Sequence, residues 1–475
     1  MVVGARGDVG SSVVPRARLF SLTRRLAGTP SCRHRARRAE SLTLQPLPSA
    51  GRACDARREG RASSMDTMIA RCCGLDVHKA SVRACVRLLV DGVVGELIET
   101  FGTTTSDLLA LRDWLKAHEV THVAMESTGV YWKCVYYVLE DDLEVLLVNA
   151  QHIKHVPGRK TDTIDAAWIA QLLACGLLRG SLVPPRPIRE LRDLTRYRKA
   201  LIYERSRAVN RLHKLLEDAG VKLSCVATDV MGVSGRAMMR ALIDGNADAE
   251  ALAELAKGKL RKKLPTLRKA LEGRFRAHHA FLLERMLARI EDLEDDINAI
   301  SARVAKQIGP FEAAVTLLRT IPGVERRTAE VIIAETGGDM SAFPTPKHLA
   351  SWAGVCPGQR ESAGKRKSAR TRKGSPWLRA TLIESARAAS RSKGTYLGER
   401  YRRLARRRGD RKAIIAIAHE ILDATWQMLN TGEIYREQGP TIIAERDADN
   451  ARRRAIRQLE RLGHKVTLQP LPEAA

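Results

Sequence analysis

Residues 69–100 read IARCCGLDVHKASVRACVRLLVDGVVGELIET, and this stretch decides the class of fold. A short apolar run surrounds Cys72–Val77, and apolar residues alternate with polar ones in Ser81–Val90. Asp91–Gly92 then supplies a turn before a further β-type run at Val93–Glu99. Apolar runs and alternation with a period of two are typical of strands. The stretch therefore predicts β structure from Ile69 to Thr100.

Helices and strands alternate after this β segment. Apolar spacing predicts helices over Asp107–His118, Tyr131–Glu140 and Asp162–Cys175, and strands over Thr121–Glu126 and Glu144–Val148. Early strands followed by alternating helix and strand predict an α/β domain of the ribonuclease-H kind. A proline-rich segment after residue 183 ends this domain.

The rest of the chain, from Ile188, is predicted to be nearly all helical. One Arg-rich amphipathic helix carries leucines between Leu191 and Leu215. Later residues repeat at the alternating spacings of three and four that a coiled coil uses. These are Leu283, Met286, Ile290, Leu293, Ile297, Ile300 and Val304. Two interpretations stay open: an oligomer seam, or one long helix packed within its own domain.

The composition points to a polyanionic partner. The 475 residues hold 81 Lys and Arg against 54 Asp and Glu, a net charge of +27, with 44% hydrophobic residues. This apolar fraction excludes wholesale disorder, and no apolar run approaches the roughly 20 residues of a membrane span. Cations placed on phosphates release condensed counterions, so nucleic acid is the leading partner class. The nine scattered cysteines indicate reduced thiols in a cytoplasm.

The first 64 residues differ from the rest in their charge. They hold 13 Arg, no Lys and four acids, a balance of +9, without helical or strand periodicity. Such a leader is consistent with an organellar transit peptide or a disordered RNA-binding arm. We favour a third interpretation, in which translation starts further along the chain, because Met65 and Met68 lie just ahead of the first strand.

Four carboxylates are candidates for a metal site. Asp76 lies in the first strand, Glu126 ends another, and Asp162 and Asp165 share one helix face. Sites assemble at strand ends in open α/β sheets, and converging carboxylates repel one another unless cations neutralise them. Oxygen ligands select Mg²⁺ or Mn²⁺, two of which can stabilise a phosphodiester displacement. Each acid taken singly is more often a helix cap or a surface charge.

Two further motifs fit contact with nucleic acid. Residues 321–325, Ile-Pro-Gly-Val-Glu, precede an apolar helix in the pattern of a helix-hairpin-helix, in which Gly323 would face a DNA phosphate. An ordinary helical turn is the alternative. Gly354–Arg379 mixes small residues and serines with cations, and a helix begins near Pro376. Its cations are Lys365, Arg366, Lys367, Arg370, Arg372 and Lys373. Composition alone favours a solvated basic loop over a loop with a nucleophilic serine.

Five motifs in this order resemble one known family. They are Gly74–Lys79, Glu126–Gly129, Lys160–Ala166, Ile321–Val324 and Glu361–Lys365. Together they resemble the insertion-sequence transposases that join an amino-terminal RuvC-like DEDD domain to a carboxy-terminal serine-bearing domain, the family named after insertion sequence one-hundred-ten. The resemblance covers about residues 69–440. The Arg-rich leader is not part of the family pattern.

The resemblance implies a bacterial, nucleoid-associated recombinase that moves its element with a structured bridge RNA choosing target and donor DNA. It implies that Asp76, Glu126, Asp162 and Asp165 bind metal. It also implies that Ser362 is the nucleophile, with Ser368 as the fallback, and that the protein works as a homo-oligomer, a dimer or tetramer. A phosphoserine would conserve the phosphodiester energy for religation without ATP.

These observations together predict a domain order. Residues 1–64 form the leader, 65–187 the RuvC-like domain, 188–309 the helical coiled-coil region, 310–440 the serine transposase domain and 441–475 a basic tail. Two other functions remain open. One is a structure-selective endonuclease of the Holliday-junction-resolving type, in which metal-activated water attacks and Ser362 only contacts phosphate. The other is a non-catalytic nucleic-acid-binding protein.

Overall fold

A computed structural model describes residues 68–127, 129–149, 165–358, 360–368 and 370–467. The leader lies outside the described residues, and so does Asp162. No helix in the described part of the chain is long and apolar enough to cross a membrane.

One mixed sheet of five strands forms the amino-terminal part of the described chain. The strands are β1 (Arg71–Val77), β2 (Ser81–Val90), β3 (Val93–Gly102), β4 (His122–Glu126) and β5 (Glu144–Val148), in the order β3-β2-β1-β4-β5. The first three pair antiparallel, whereas β4 and β5 run parallel to β1. The predicted α/β class is therefore confirmed, and the order is consistent with a RuvC-like domain.

Helices α1 (Thr105–Ala117) and α2 (Trp132–Leu139) cover one face of the sheet. A capping box between Thr104 and Asp107 starts α1, so the helix begins two residues before its predicted start. Its three leucines, Leu108, Leu111 and Leu115, pack against alternate residues of β1 and β4. The apolar face of α1, spaced as in a helix, and the apolar face of the sheet, spaced as in strands, therefore form a single core.

Helix α3 (Asp165–Ala174) covers the opposite face and lies unusually close to β1. A Cβ on Gly74 would come within 3.0 Å of the Ala166 carbonyl oxygen and the Ala170 amide nitrogen. Two residues earlier in β1, Cys72 Sγ lies 3.5 Å from the Ala170 carbonyl oxygen. Earlier residues of β1 therefore meet later residues of α3, so the strand and the helix run antiparallel. Only glycine fits at this crossing.

Two long helices then form an antiparallel pair: α4 (Arg186–Asp218) and α9 (Ala277–Gln307). The ion pairs Arg205–Glu294 and His279–Asp218 set their direction, because a later residue of α4 meets an earlier residue of α9. Four shorter helices pack with this pair around a second core. They are α5 (Leu223–Val226), α6 (Val233–Ile243), α7 (Ala249–Glu254) and α8 (Leu264–Leu271), with a 3₁₀ turn at Gly258–Lys263.

The heptad stripe lies on α9 and is mostly buried within the chain itself. Leu283, Ile290, Leu293 and Ile297 belong to the second core, and Val304 belongs to a third. A helix packed within its own chain, the second of the two interpretations left open, describes this stripe. The oligomer seam stays a prediction that the stripe does not support, because its apolar residues are already covered.

The third core unites the carboxy-terminal helices with the first turns of α4. After a 3₁₀ turn at Gly309–Phe311 come α10 (Glu312–Leu318), α11 (Arg326–Thr336), α12 (Pro346–Trp352), α13 (Pro376–Arg391), α14 (Tyr396–Arg408) and α15 (Asp410–Thr431). Strands β6 (Arg360–Ser362) and β7 (Lys365–Ser368) form a hairpin between α12 and α13. The predicted helix near Pro376 is confirmed. The basic segment predicted as a tail contains helix α16 (Thr441–Arg461).

Buried charges join α4 to α11. Arg198 Nη2 lies 2.7 Å from Glu330 Oε2, and both side chains are under 5% exposed. Arg196 forms a two-pronged pair with Glu335 at 2.7 and 2.8 Å. Burial of this kind is costly unless each charge meets its partner, so these pairs specify how α4 seats against the carboxy-terminal helices.

Gly74→Ala tests the crossing of β1 and α3. The new methyl group would meet α3 backbone, which cannot rotate away, so we expect the free energy of unfolding to fall by about 2 kcal/mol or more. Gly95→Ala is the matched control, because its Cβ would have nothing within 4 Å. Urea unfolding of the two variants checks this. Equal stability of both variants would contradict the crossing.

Candidate functional site

Asp76 and Glu126 lie at the carboxyl ends of neighbouring parallel strands, on the same face of the sheet. Leu75 pairs with Met125, so the next residues of β1 and β4 are the two acids. Ala124 packs in the core under α3, while Met125 packs in the opposite core. Because side chains alternate along a strand, Glu126 shares the α3 face with Ala124, and Asp76 shares it with Gly74.

Asp165 is brought to the same edge by the course of α3. It is the first residue of that helix, next to Ala166, whose carbonyl oxygen faces Gly74. Since α3 runs antiparallel to β1, its first turn lies at the carboxyl end of the strand, where Asp76 is. Three of the four predicted acids thus belong to one edge of the sheet, and Asp162 lies outside the described residues.

The chemistry of these side chains fits a hard divalent cation. Carboxylates are the ligands that Mg²⁺ and Mn²⁺ prefer. The buried thiols of the sheet do not compete, because burial raises the pKa of Cys72 and of Cys85 to about 11. Within the described residues, however, no group of three or more His, Cys, Asp or Glu side chains is placed to hold an ion.

His78 is a neighbour of the acidic edge that the sequence did not single out. Its Nε2 lies 3.0 Å from Asp76 Oδ2, and its ring is 66% exposed. A histidine two residues after an acid at a strand end was the available signal, since residues i and i+2 of an extended chain lie on one face. His78 orients the Asp76 carboxylate.

Ser362 lies beside a tight turn rather than in the predicted loop. Ser362 pairs with Lys365 across the hairpin, and Ala363 and Gly364 connect the two strands. Both connecting residues have positive φ, 49° and 71°. This is the type I′ geometry that matches the twist of a hairpin, and it is costly for alanine. The side chains of Ser362, Arg366, Lys367 and Ser368 lie outside what the structure describes.

The root of the hairpin is clamped by backbone contacts. Pro357 forms a β-bridge with Thr371, and the Gly358 amide donates to the Arg370 carbonyl oxygen at 2.9 Å. A Cβ on Gly374 would come within 3.0 Å of Gly354 N, so two glycines let the two chain segments touch. Lys365, next to the turn at the tip, is exposed, and so are Arg372 and Lys373, which lie just past the root. A rigid root with an exposed basic tip suits contact with a phosphate backbone.

His419 of α15 holds the residue just before this root. Its Nδ1 lies 3.5 Å from Cys356 Sγ and its Nε2 lies 3.3 Å from Asp423 Oδ2. The hydrogen bond to Asp423 raises the pKa of His419, and a bond to the Val355 backbone adds to the shift. Burial and the nearby Asp423 raise the pKa of Cys356, so its thiol stays protonated. The sequence does not signal this contact, because 63 residues separate Cys356 from His419.

Glu335 connects the hairpin region to α4. Ser375 caps α13, and its hydroxyl donates a hydrogen bond to Glu335 Oε2 at 3.0 Å. The same carboxylate accepts from Arg196. Glu335 is 1% exposed and lies in the apolar helix that follows residues 321–325. A charged residue inside an apolar helix was the one available signal.

The Pro-Gly turn between α10 and α11 packs against α13. Gly323 has φ +84°, and a Cβ there would come within 3.0 Å of the Ser385 carbonyl oxygen and the Ala389 amide nitrogen. Close packing of backbones therefore accounts for this glycine without a ligand. Phosphate binding by Gly323 stays a prediction.

A mixed sheet with acids at one edge, followed by a mostly helical region, is consistent with a DEDD-type transposase. Comparison with family models agrees. A model of the DEDD transposase domain of IS110 matches residues 73–220, and a model described as transposase of the IS116/IS110/IS902 family matches residues 315–402. The chain belongs to the IS110 family of insertion-sequence transposases. Membership implies a DNA-processing enzyme.

Curated relatives show the same likeness. The chain is 28% identical over 294 residues to the putative transposase y4rJ of Sinorhizobium fredii, covering 58% of this chain and 67% of that protein. It is 25% identical over 295 residues to the transposase for IS1111A of Coxiella burnetii, covering 61% and 72%. It is 27% identical over 344 residues to an uncharacterized 42 kDa protein of IS900 from Mycobacterium paratuberculosis, covering 64% and 82%.

Asp423→Asn tests the clamp behind the hairpin. Because the pKa of His419 is raised in the folded protein, its bond to Asp423 stabilises the fold fully at pH values below the pKa of the unfolded chain, about 6.5. This stabilisation is lost as the pH rises through the pKa that His419 has in the folded protein. We therefore expect the variant to melt earlier than the wild type at pH 5.5 and alike at pH 9. Thermal melts at pH 5.5 and pH 9 check this expectation. His419→Gln is a second variant, whose stability should lack the pH-dependent contribution of the His419–Asp423 bond. A deficit equal at both values would refute the clamp.

Proposed function

We propose that this transposase cuts and rejoins DNA with a metal site built from Asp76, Glu126, Asp162 and Asp165 and with Ser362 as nucleophile. One observation carries the proposal. Two acids end adjacent parallel strands on one face, and the helix packed on that face begins with a third. Carboxylates gathered at a strand edge repel one another, so a cation is the partner that such an edge favours.

The role of the acidic edge follows from its charge. Mg²⁺ or Mn²⁺ bound there would neutralise charge that develops on phosphodiester oxygens. The carboxylates of Asp76, Glu126 and Asp165 would hold the ion, and the family resemblance adds Asp162 as a fourth ligand. His78 keeps the Asp76 carboxylate in place through its 3.0 Å contact.

The proposed role of Ser362 follows from its position near the tip of the hairpin. The Ser362 hydroxyl oxygen bonds to phosphorus as the phosphorus–oxygen bond of the DNA strand breaks, and the leaving oxygen takes up a proton. The reverse reaction joins a new DNA end and frees the serine. Lys365, its cross-strand neighbour, supplies positive charge near the phosphate.

Exposed cations support a long polyanion as substrate. The end of α14 and the start of α15 carry Arg406, Arg407, Arg408, Arg411 and Lys412, all exposed. Such a surface binds phosphates without reading sequence. A bridge RNA that chooses the target fits this lack of sequence readout, and both the RNA and the homo-oligomer rest on the family resemblance. The five-part domain order stays a prediction from the sequence.

Ser362→Ala tests the nucleophile. We expect the wild-type protein with DNA carrying its element ends to leave a covalent protein–DNA adduct after denaturation, and the variant to leave none, because no other group replaces the attacking oxygen. Ser368→Ala is the matched control in the same hairpin and should keep the adduct. Denaturing gels with labelled DNA measure it. Strand cleavage that survives Ser362→Ala would instead indicate the endonuclease in which water attacks.

Asp76→Asn tests the metal site. Loss of one ligand charge should lower recombination roughly 100-fold or more, since such ions contribute several kcal/mol to the transition state. Asp113→Asn, an exposed acid on α1, is the control and should leave the rate unchanged. Recombination of a two-plasmid substrate at several Mg²⁺ concentrations measures it. An unchanged rate for Asp76→Asn would refute the site.

A further inference from the structure

Two apolar side chains stand exposed beside the acidic edge. Val130 is 66% exposed and Tyr131 is 39% exposed. Both lie in the short connection from the end of β4, where Glu126 is, to the start of α2. The next residue, Trp132, packs against the core beneath the sheet instead. Exposed apolar residues next to a charged site are a recurring sign of a ligand surface.

The connection is held so that the tyrosine ring stays near the strand end. The Ser127 amide donates to the Val148 carbonyl oxygen at 2.8 Å, which ties the loop to β5. Gly129 has φ +57°, and a Cβ built there would lie 3.7 Å from Tyr131 Cδ2 and 3.8 Å from Tyr131 Cε2. The ring therefore lies beside Gly129, in the short connection that follows β4.

Tyr131 differs from the nearby Tyr137 in what covers its ring. Tyr137 lies on α2, which follows Tyr131 directly, and is also 39% exposed, but the Arg189 guanidinium covers its ring at 4.5 Å from the centroid. Within the described part of the chain, no aromatic ring or guanidinium stacks on Tyr131. One face of an amphipathic ring is thus left for a partner.

The loop that follows β1 supplies charge at the same edge. His78 is 66% exposed, and Lys79 next to it is exposed as well. The Lys79 carbonyl accepts from the Thr103 hydroxyl at 3.1 Å, which anchors that loop. A cation and an open aromatic ring on adjacent loops are the combination that binds unpaired nucleotides, with the cation on the phosphate and the ring on the base.

We propose that Tyr131, flanked by Val130, stacks on an unpaired nucleobase of the DNA strand whose phosphate reaches the edge formed by Asp76 and Glu126. The inference rests on the proposed function and deepens it. Bases of an intact duplex present their edges but not their faces, so the substrate at this edge is single-stranded or locally unpaired. Lys79 contacts the phosphate of the same strand.

A scan with abasic nucleotides tests this inference. Single-stranded oligonucleotides that each lack one base are titrated with the full chain, and fluorescence anisotropy without divalent metal reports the affinity. We expect the wild type to bind roughly 5- to 100-fold more weakly when one particular base is missing. Tyr131→Ala should weaken binding of the intact strand to the same extent and show no further loss at that position.

The controls separate stacking from other effects. Tyr131→Phe keeps the ring and should retain the dependence on that base, and Tyr137→Ala matches the exposure but should leave the abasic profile unchanged. Circular dichroism melts show whether Tyr131→Ala is folded. A wild type whose affinity depends on no single base, or a Tyr131→Ala variant that keeps the wild-type profile, overturns the inference. Loss of recombination in Asp76→Asn alongside either result would leave the proposed function standing.

Discussion

The acidic edge depends on one contact between two backbones, that of β1 at Gly74 with that of α3. A side chain at this position would push the helix away from the sheet, and the helix carries Asp165 in its first residue. The same crossing sets the direction of α3, so that its first turn lies at the carboxyl end of β1 rather than at the other end. Gly74, two residues before Asp76, therefore lets α3 pack closely enough to bring Asp165 to the edge of the sheet where Asp76 lies.

A second constraint acts on the carboxy-terminal region. Arg196 and Arg198 of α4 are paired with Glu335 and Glu330 of α11, and three of these four side chains are nearly fully buried. Apolar residues of similar size could provide comparable stability. What the charges add is a single register, because a shifted helix would leave a charge buried without its partner. Through Ser375, Glu335 extends this register to the helix that follows the basic hairpin.

The two candidate reaction centres lie on different kinds of element. The acids lie near strand ends and at the start of α3. Ser362 sits near the tip of a hairpin whose root is clamped by Gly354, Gly374 and the contacts of His419, while the turn itself strains an alanine at φ 49°. Strain at an exposed tip is typical of sites where a partner completes the structure.

Local patterns in the sequence predicted the α/β class, the order of strands and helices in the amino-terminal domain, and the strands that carry Asp76 and Glu126, because periods of two and 3.6 residues are properties of neighbouring residues. The hairpin at Ser362 was missed, since strands of three and four residues are too short to show alternation, and the Ala-Gly turn has no asparagine or aspartate to mark it. Only the tertiary structure decided that the heptad stripe packs inside the chain, that Gly74 lets α3 touch β1, and that His419 meets Cys356. Cys356 and His419 are 63 positions apart, and Cys72 and Ala170, at the crossing of β1 and α3, are 98 apart. No local period records which distant partner a side chain will meet.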